Sequence, residues 1–488
     1  MKPILLIHGY SSEGADKPAP DIYKGFIREL RDMFGAHNVT ELDLSRWISL
    51  NDGICIDDVS FAMDRALKTE FPHLLAGGFN VVIHSTGALV VRNWIKKFSP
   101  MPSPIINLVH LAGANFGSGL AHIGQGQIAR WGKELLAGTG CGYRILDELE
   151  FGSWKTLDLH LHFLNDGTRM YEDYQVQEFC IIGSQVPKAM RVAPIRYVRE
   201  DSSDSTVRVS GSNLNFNYIS VKPTPAAYSL TQAKLAEVVD KRMEGKVVSD
   251  NYYRLEREVV TEARDTPKIP FTIPYEIAHS GDDMGIVTGE KHRAQLLRLV
   301  RMALETDPDV PGAYANVEKE FAQAQSVVFD TIARRRGLLS GWNLHSQYEG
   351  HAQWIFRIRD QEGRPVEHFD IYMNSKGKKN DVTVPNMIEH RHSNRHDKGT
   401  MVFYLRTQAF SKRRKKNPWK ELLDDVLPLD LEITGEEPLS DDIEYVPLRV
   451  CMSPERLRRQ LKSFQTTIVD VVLLRLPSAK VFNITPAP

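Results

Sequence analysis

Residues 81–91 read Val-Val-Ile-His-Ser-Thr-Gly-Ala-Leu-Val-Val: an apolar strand entering a tight turn with one serine, then a helix. A hydroxyl on such a strand-to-helix turn is pushed out of the sheet edge, and the next amide points to the helix N-terminus. Ser85 is thereby a candidate nucleophile, and the Thr86 amide a candidate donor to a developing oxyanion. The pattern G-x-S-x-G is met as Ile83-His84-Ser85-Thr86-Gly87, with isoleucine in the first glycine slot. A serine ahead of a helix is more often an N-cap, so a nucleophile needs support from elsewhere in the chain.

That support has a fixed form. A serine hydroxyl is weak until a histidine takes its proton and a carboxylate orients the histidine. On parallel-sheet scaffolds the chain order is serine, acid, histidine. Asp204, in Asp201-Ser202-Ser203-Asp204-Ser205-Thr206-Val207, is the acid candidate, with Asp201 as its alternative. His279, in Ile277-Ala278-His279-Ser280-Gly281, is the base candidate. His84 adjoins the nucleophile on the turn and points away from it, so it is read as a packing or lid-contact residue. A second oxyanion donor is expected from the loop His8-Gly9-Tyr10-Ser11, as the amide of Tyr10 or Ser11.

The elements that must position these residues follow the rhythm of a mostly parallel sheet covered by helices on both faces. Strands are expected at 4–8, 39–44, 81–84, 105–112 and 179–183. Ile22, Phe26, Leu30 and Met33 mark one helix face, and Val59, Met63 and Ala66 another. Between about 116 and 177 the strand rhythm stops, and apolar residues including Phe116, Trp131, Leu135 and Trp154 accumulate. This stretch is read as an insertion over the site, a lid suited to an acyl chain. Beyond 305 the texture changes: a helix over 315–335, then alternating runs such as Trp354-x-Phe356-x-Ile358 and Phe369-x-Ile371-x-Met373. The expectation is an α/β catalytic domain over 1–305 and a helix plus mainly β domain, sheet or sandwich, over 306–488.

Taken together, these motifs resemble the α/β-hydrolase superfamily, in particular bacterial lipase and phospholipase-like serine esterases. The resemblance rests on His8-Gly9, the Ser85 elbow, Asp204-Ser205-Thr206-Val207, His279-Ser280-Gly281, and Asn115-Phe116-Gly117-Ser118, and it covers residues 1 to about 300. Two positions depart from it: Ile83 replaces glycine at the elbow, and Ser205 stands where glycine is usual in the acid loop. The resemblance implies cleavage of a lipid carboxylic ester through an acyl-enzyme, with no cofactor. The competing readings are a non-lipid carboxylesterase or thioesterase, and a catalytically silent hydrolase-fold scaffold acting through its C-terminal domain.

Composition narrows the field further. Lys+Arg 61 against Asp+Glu 62 leaves a formal charge of −1, so no global basic footprint argues for nucleic acid. The 4 cysteines are too scattered for a zinc pattern or a disulfide framework, which fits a reducing compartment. His160 and His162 with Asp158 are explained by a strand face, and His390, His392 and His396 by a solvated loop, so no metal is assigned. No apolar run nears the roughly 20 residues of a membrane span, and the first apolar run is too short for a signal segment. A cytoplasmic protein is expected, peripheral to a membrane or exported by a signal-independent route. One local feature favours a membrane surface: Lys412-Arg413-Arg414-Lys415-Lys416, a run that attracts anionic headgroups at roughly 1 kcal/mol per charge.

Overall fold

The computed structural model describes residues 2–7, 24–49, 53–122, 142–187, 190–191, 196–230, 234, 237, 252–264, 266–335, 344–378, 381–414 and 416–477. The chain divides into two compact units, neither continuous in sequence. The first comprises 1–215, 264–349 and 410–419, and the second 216–263, 350–409 and 420–488.

The first unit is built on a six-stranded sheet in the order Val39–Leu42, Ile4–Ile7, Phe79–His84, Ile105–Leu111, Gln177–Ile181, Phe271–Thr272. Every pairing is parallel. Alternate residues of a strand face opposite sides, yet Ile4–Ile7, Phe79–His84 and Gln177–Ile181 are buried throughout. Both faces are therefore covered, which is why these strands read as continuous apolar runs. The helices form two groups. Ile56–Glu70, Gly87–Lys97 and Trp154–His162 pack together, as do Arg293–Leu304 and Ala313–Arg334. Lys24–Phe34 joins the second group through Phe26, over whose ring Arg293 lies at 5.3 Å. Of the expected faces, Phe26 and Leu30 in the first helix, and Val59, Met63 and Ala66 in the second, are buried, while Met33 is half-buried and Ile22 lies outside the described residues.

The second unit holds a six-stranded mixed sheet in the order Ile388–Ser393, Thr400–Arg406, His351–Asp360, Thr466–Leu473, Asn217–Pro223, Tyr253–Val259. A three-stranded antiparallel sheet, His368–Asn374, Leu429–Glu436 and Leu448–Met452, supplies a second layer. Trp354, Phe356 and Ile358 share a core with Ile219, Val221, Phe403, Val469 and Val471, and with Leu429, Leu431 and Ile433 of the smaller sheet. Each such side chain contributes about 1.5–3 kcal/mol on burial. The 361–364 turn folds the chain back on itself only as far as an antiparallel bridge between Arg359 and Pro365, after which His368–Asn374 pairs in the smaller sheet. His390 and His392 lie on an edge strand with their rings stacked 6.4 Å apart.

A division at 305 is not where the units part. The strands Asn217–Pro223 and Tyr253–Val259 precede it but belong to the β unit, because Asn217–Pro223 pairs parallel with Thr466–Leu473 and adds Ile219 and Val221 to that core. The helix Ala313–Arg334 follows it but belongs to the α/β unit. Its Tyr314 and Phe321 rings pack on Phe179, and the Tyr314 hydroxyl donates to the Glu178 carbonyl at 2.6 Å.

Candidate active site

The Phe79–His84 strand ends at Ser85, whose φ is +54°, and Thr86 caps the helix Gly87–Lys97. A non-glycine residue in this left-handed region costs about 1–3 kcal/mol, and such strain persists only where neighbours over-determine it. Here they do. The Ser85 amide donates to the Leu111 carbonyl at 3.1 Å, while its own carbonyl accepts from Ala88 and Ala114, each at 3.2 Å. A β-carbon on Gly113 would lie 3.0 Å from the Ala88 β-carbon, so glycine there lets the loop after the fourth strand press on the turn. Ile83, in the first glycine slot, is fully buried between Ile7 and His110 of the flanking strands. The slot is a sheet position here, with room for a branched side chain.

Ser85, Asp204 and His279 meet. His279 Nδ1 donates to Asp204 Oδ2 at 2.8 Å, and Nε2 lies 3.2 Å from Ser85 Oγ. All three are buried. Asp204 is held on its other side, where Oδ1 accepts from the Thr206 amide at 3.0 Å and the Val207 amide at 2.8 Å. The backbone repeats the link, with the His279 amide donating to the Asp204 carbonyl at 3.0 Å. Asp201 is placed elsewhere: its Oδ1 accepts from Ser346 Oγ at 2.8 Å and Gln347 Nε2 at 2.6 Å. Of the two aspartates, Asp204 is the one hydrogen-bonded to His279. His84 turns its ring onto His279, centroids 4.8 Å apart.

Several side chains support the acid loop. Arg208 makes a fork to Glu200 at 2.7 and 2.8 Å, buried, with its guanidinium 4.0 Å from the centre of the Phe151 ring. Asn115 and Ser118 clamp the loop from the neighbouring segment, donating to the carbonyls of Ser212 at 2.8 Å and Thr206 at 2.7 Å. Phe116 belongs to the same clamp. It is fully buried, its amide donates to Gly211, and its ring sits 4.6 Å from that of His160, so it is a core residue and not an exposed cover. Trp154 begins the helix Trp154–His162 and is half exposed. Tyr10, Ser11, Trp131 and Leu135 lie outside the described residues. His160 donates to the Asn115 carbonyl, and burial together with nearby Arg92 holds its imidazole well below the usual range. Among the described residues, no three His, Cys, Asp or Glu side chains are grouped as a metal ion would need.

The histidine loop is anchored by Glu276, at φ +50°. Burial would push its carboxyl up, but Lys291 at 2.7 Å, with Arg335 and His292, overcomes this and holds it below the usual range. Behind the elbow, buried Glu178 takes Arg92 from the elbow helix and His110 from the fourth strand. Burial raises the Glu178 carboxyl, but these two partners prevail and bring it down to about 2. This cluster ties the elbow helix to the sheet.

A parallel sheet with helices on both faces, a strained serine turn after its third strand, and acid and histidine loops at the same edge define a bacterial lipase and phospholipase-like hydrolase fold, here joined to a β unit. No family model matches the chain, and no curated protein matches its sequence. Among solved structures it is similar to phospholipase PlaB from Legionella pneumophila, with a TM-score of 0.76, 20% identity, and 100% of this chain and 97% of that one covered. The same phospholipase in complex with thio-NAD gives a TM-score of 0.74 at 19% identity, covering 100% and 98%. The likeness therefore runs through both units. Among the described residues, no helix is long and apolar enough to cross a membrane.

Proposed function

We propose that this chain is a serine hydrolase cleaving carboxylic ester bonds of a lipid, of the lipase or phospholipase A type. The observation that carries the reading is the hydrogen-bonded line Ser85–His279–Asp204 set on a strained turn. In the proposed cycle His279 Nε2 takes the proton of Ser85 Oγ as the oxygen attacks the ester carbonyl. Asp204 holds the ring and stabilises the imidazolium. The Thr86 amide, with that of Tyr10 or Ser11, receives the oxyanion, each donor being worth roughly 10²–10³ in rate. His279 then protonates the leaving alcohol, and water, deprotonated by the same imidazole, releases the acid. No cofactor enters this scheme. Similarity to a phospholipase across both units supports a lipid ester as substrate.

A membrane surface enters the same proposal through Lys412, Arg413, Arg414 and Lys416, all exposed; Lys415 lies outside the described residues. The loop belongs to the α/β unit and not, as its sequence position suggested, to the β unit. Aromatic residues hold its feet: Phe410 stacks on His345 at 3.9 Å, and Trp419 lies 5.0 Å from Phe410 and 5.1 Å from Phe329. Four exposed cations on an anchored loop offer anionic headgroups up to about 1 kcal/mol each.

The test is a comparison of phospholipid vesicles treated with wild type and with Ser85→Ala, read by lipid analysis, alongside labelling by a fluorophosphonate. Free fatty acid and lysolipid from wild type only, with label on Ser85, is the expected result. Hydrolysis confined to soluble esters would favour a carboxylesterase or thioesterase, and absence of both label and hydrolysis a silent scaffold.

A further inference from the structure

Ser346–Tyr348 is a single tight helical turn of the α/β unit, with Gln347 and Tyr348 buried. We propose that this turn positions the site: Gln347 and Tyr348 are positioning residues that hold the acid loop and the histidine loop in register, so that Asp204 and His279 stay in line with Ser85. The inference rests on the ester-hydrolase reading above and adds to it residues outside the Ser85–His279–Asp204 line.

Three separate loops are gripped. Ser346 Oγ and Gln347 Nε2 both donate to Asp201 Oδ1, at 2.8 and 2.6 Å. The Gln347 carbonyl accepts from Ser184 Oγ, on the segment that leaves the fifth strand. The Tyr348 hydroxyl accepts from the Glu276 amide at 2.9 Å. Asp201 stands three residues before Asp204 and Glu276 three before His279, so the turn holds both loops at the same short remove from the chemistry.

Little slack lies between grip and site. Beyond Asp201, the Ser202 carbonyl accepts from the Val209 amide at 2.9 Å, Ser203 bridges to Arg208, and the Asp204 amide donates to Val207 at 3.1 Å. Beyond Glu276, the Ile277 carbonyl accepts from Gln185 at 3.1 Å, and Ala278 exchanges backbone hydrogen bonds with Met284 and Ile286 at 2.8 and 2.9 Å. A shift at either grip is therefore carried to Asp204 or His279. Both grips also sit at strained backbone, since Glu276 has φ +50° and Ser202, next to Asp201, has φ +53°. Such conformations persist only where the surroundings over-determine them, and the turn is part of those surroundings at both places.

Packing alone does not need these groups. Tyr348 lies edge-on to Phe329, ring centres 5.9 Å apart, a contact that a phenylalanine would make equally well. Its hydroxyl is what reaches the histidine loop, as the Gln347 amide is what reaches Asp201. The turn can act as a fixed point because both its ends are tied to Phe410: the His345 ring stacks on the Phe410 ring at 3.9 Å, and Glu349 Oε1 accepts from the Phe410 amide at 2.7 Å.

The experiment measures kcat and KM of the full chain on p-nitrophenyl acetate, and the rate of labelling by a fluorophosphonate, for wild type, Tyr348→Phe, Gln347→Met and Val39→Ala. Tyr348→Phe keeps the ring and removes the hydroxyl, while Gln347→Met keeps the length and removes the amide. Val39→Ala, in the buried edge strand at the opposite side of the same sheet, controls for loss of stability. Both turn variants are expected to lose at least about fivefold in kcat and in labelling rate, with KM within about twofold of wild type, because a small misplacement of His279 slows proton transfer without touching binding. The control should keep all three quantities. A smaller loss of kcat in either turn variant, a change in KM alone, or the same loss in Val39→Ala would overturn the positioning role while leaving the hydrolase reading intact. Should circular dichroism show one turn variant unfolded, the other decides by the same measure. A wild type that cleaves no ester and takes no label would overturn both readings.

Discussion

Gly183 and Ile277 touch backbone to backbone: a β-carbon on Gly183 would stand 2.1 Å from the Ile277 carbonyl oxygen. Gly183 ends the approach of the Gln177–Ile181 strand, and Ile277 opens the loop that carries His279. The Gln185 amide donates to that same carbonyl at 3.1 Å. Gly183→Ala should push the histidine loop off Ser85, and a misplacement of about 1 Å costs on the order of 10² in rate. Ester kcat for Gly183→Ala, with circular dichroism to check folding, tests this. A folded variant within twofold of wild type would refute it.

Ser205 occupies the acid loop at φ +87° with a buried hydroxyl that finds no hydrogen-bond partner among the described residues. Both features favour glycine, the residue usual at this place in the resembled motif, because only glycine adopts this backbone without cost. Against this stands the greater entropy of glycine in the unfolded chain, about 0.5–1 kcal/mol. Relief of about 1–2 kcal/mol of backbone strain leaves Ser205→Gly slightly ahead. Tm should rise by about 1–3 °C with activity retained, and a fall in Tm on thermal unfolding would contradict the account.

The proposed catalytic line was legible because each member carries a local signature: an apolar run into a serine turn, a polar loop with Asp-x-Thr-Val, and His-Ser-Gly. Their order along the chain did the rest, and Ser85, Asp204 and His279 do come together. The first unit's strands were legible for the same reason, since parallel strands buried on both faces are apolar throughout. The division into units was not. Asn217–Pro223 carries Ile219 and Val221 like any half-buried strand, and nothing local says that its partner is Thr466–Leu473, some 250 residues on. Phe116 shows the opposite failure. Its apolar character was plain, but only the hydrogen bond from its amide to Gly211 shows that it clamps the acid loop.

The two aspartates of the 201–204 loop make a clean pair for mutation. Asp204→Asn should lower kcat about 10³–10⁴-fold, because the amide can no longer fix the imidazole in the form that accepts a proton from Ser85. Asp201→Asn should cost less than tenfold, since its carboxylate serves Ser346 and Gln347 and not His279. Steady-state kinetics on a short-chain ester decides. Equal losses would mean that the acid is shared or misassigned.

The cluster behind the elbow sets an acid limit to stability. Burial lowers His110 from 6.5 and His160 further, so below about pH 6.5 the unfolded chain binds protons that the folded one refuses. Stability is then lost as pH falls. Glu178 works in the same direction at lower pH: held at about 2 in the fold against an ordinary 4.5, its contribution is present above 4.5 and fades between 4.5 and 2. Tm should be lower at pH 5 than at pH 8 and fall more steeply below pH 4.5. A Tm that is flat or rises on acidification would exclude this linkage.

Where the chain can be cut follows from the two discontinuous units. Truncation after Glu305 removes Tyr314 and Phe321, which cover Phe179, together with the aromatic group of Phe329, Tyr348, Phe410 and Trp419. Losing one large core aromatic typically costs 3–5 kcal/mol, and a domain has only about 5–15 kcal/mol to lose. The 1–305 fragment should therefore be insoluble or bind a dye for exposed apolar surface, with no esterase activity. It would also keep 216–263, two strands without the sheet they pair in. Expression of 1–305 beside the full chain, read by solubility and short-ester hydrolysis, makes the comparison. A soluble, fully active fragment would restore the boundary at 305 and refute the interleaved division.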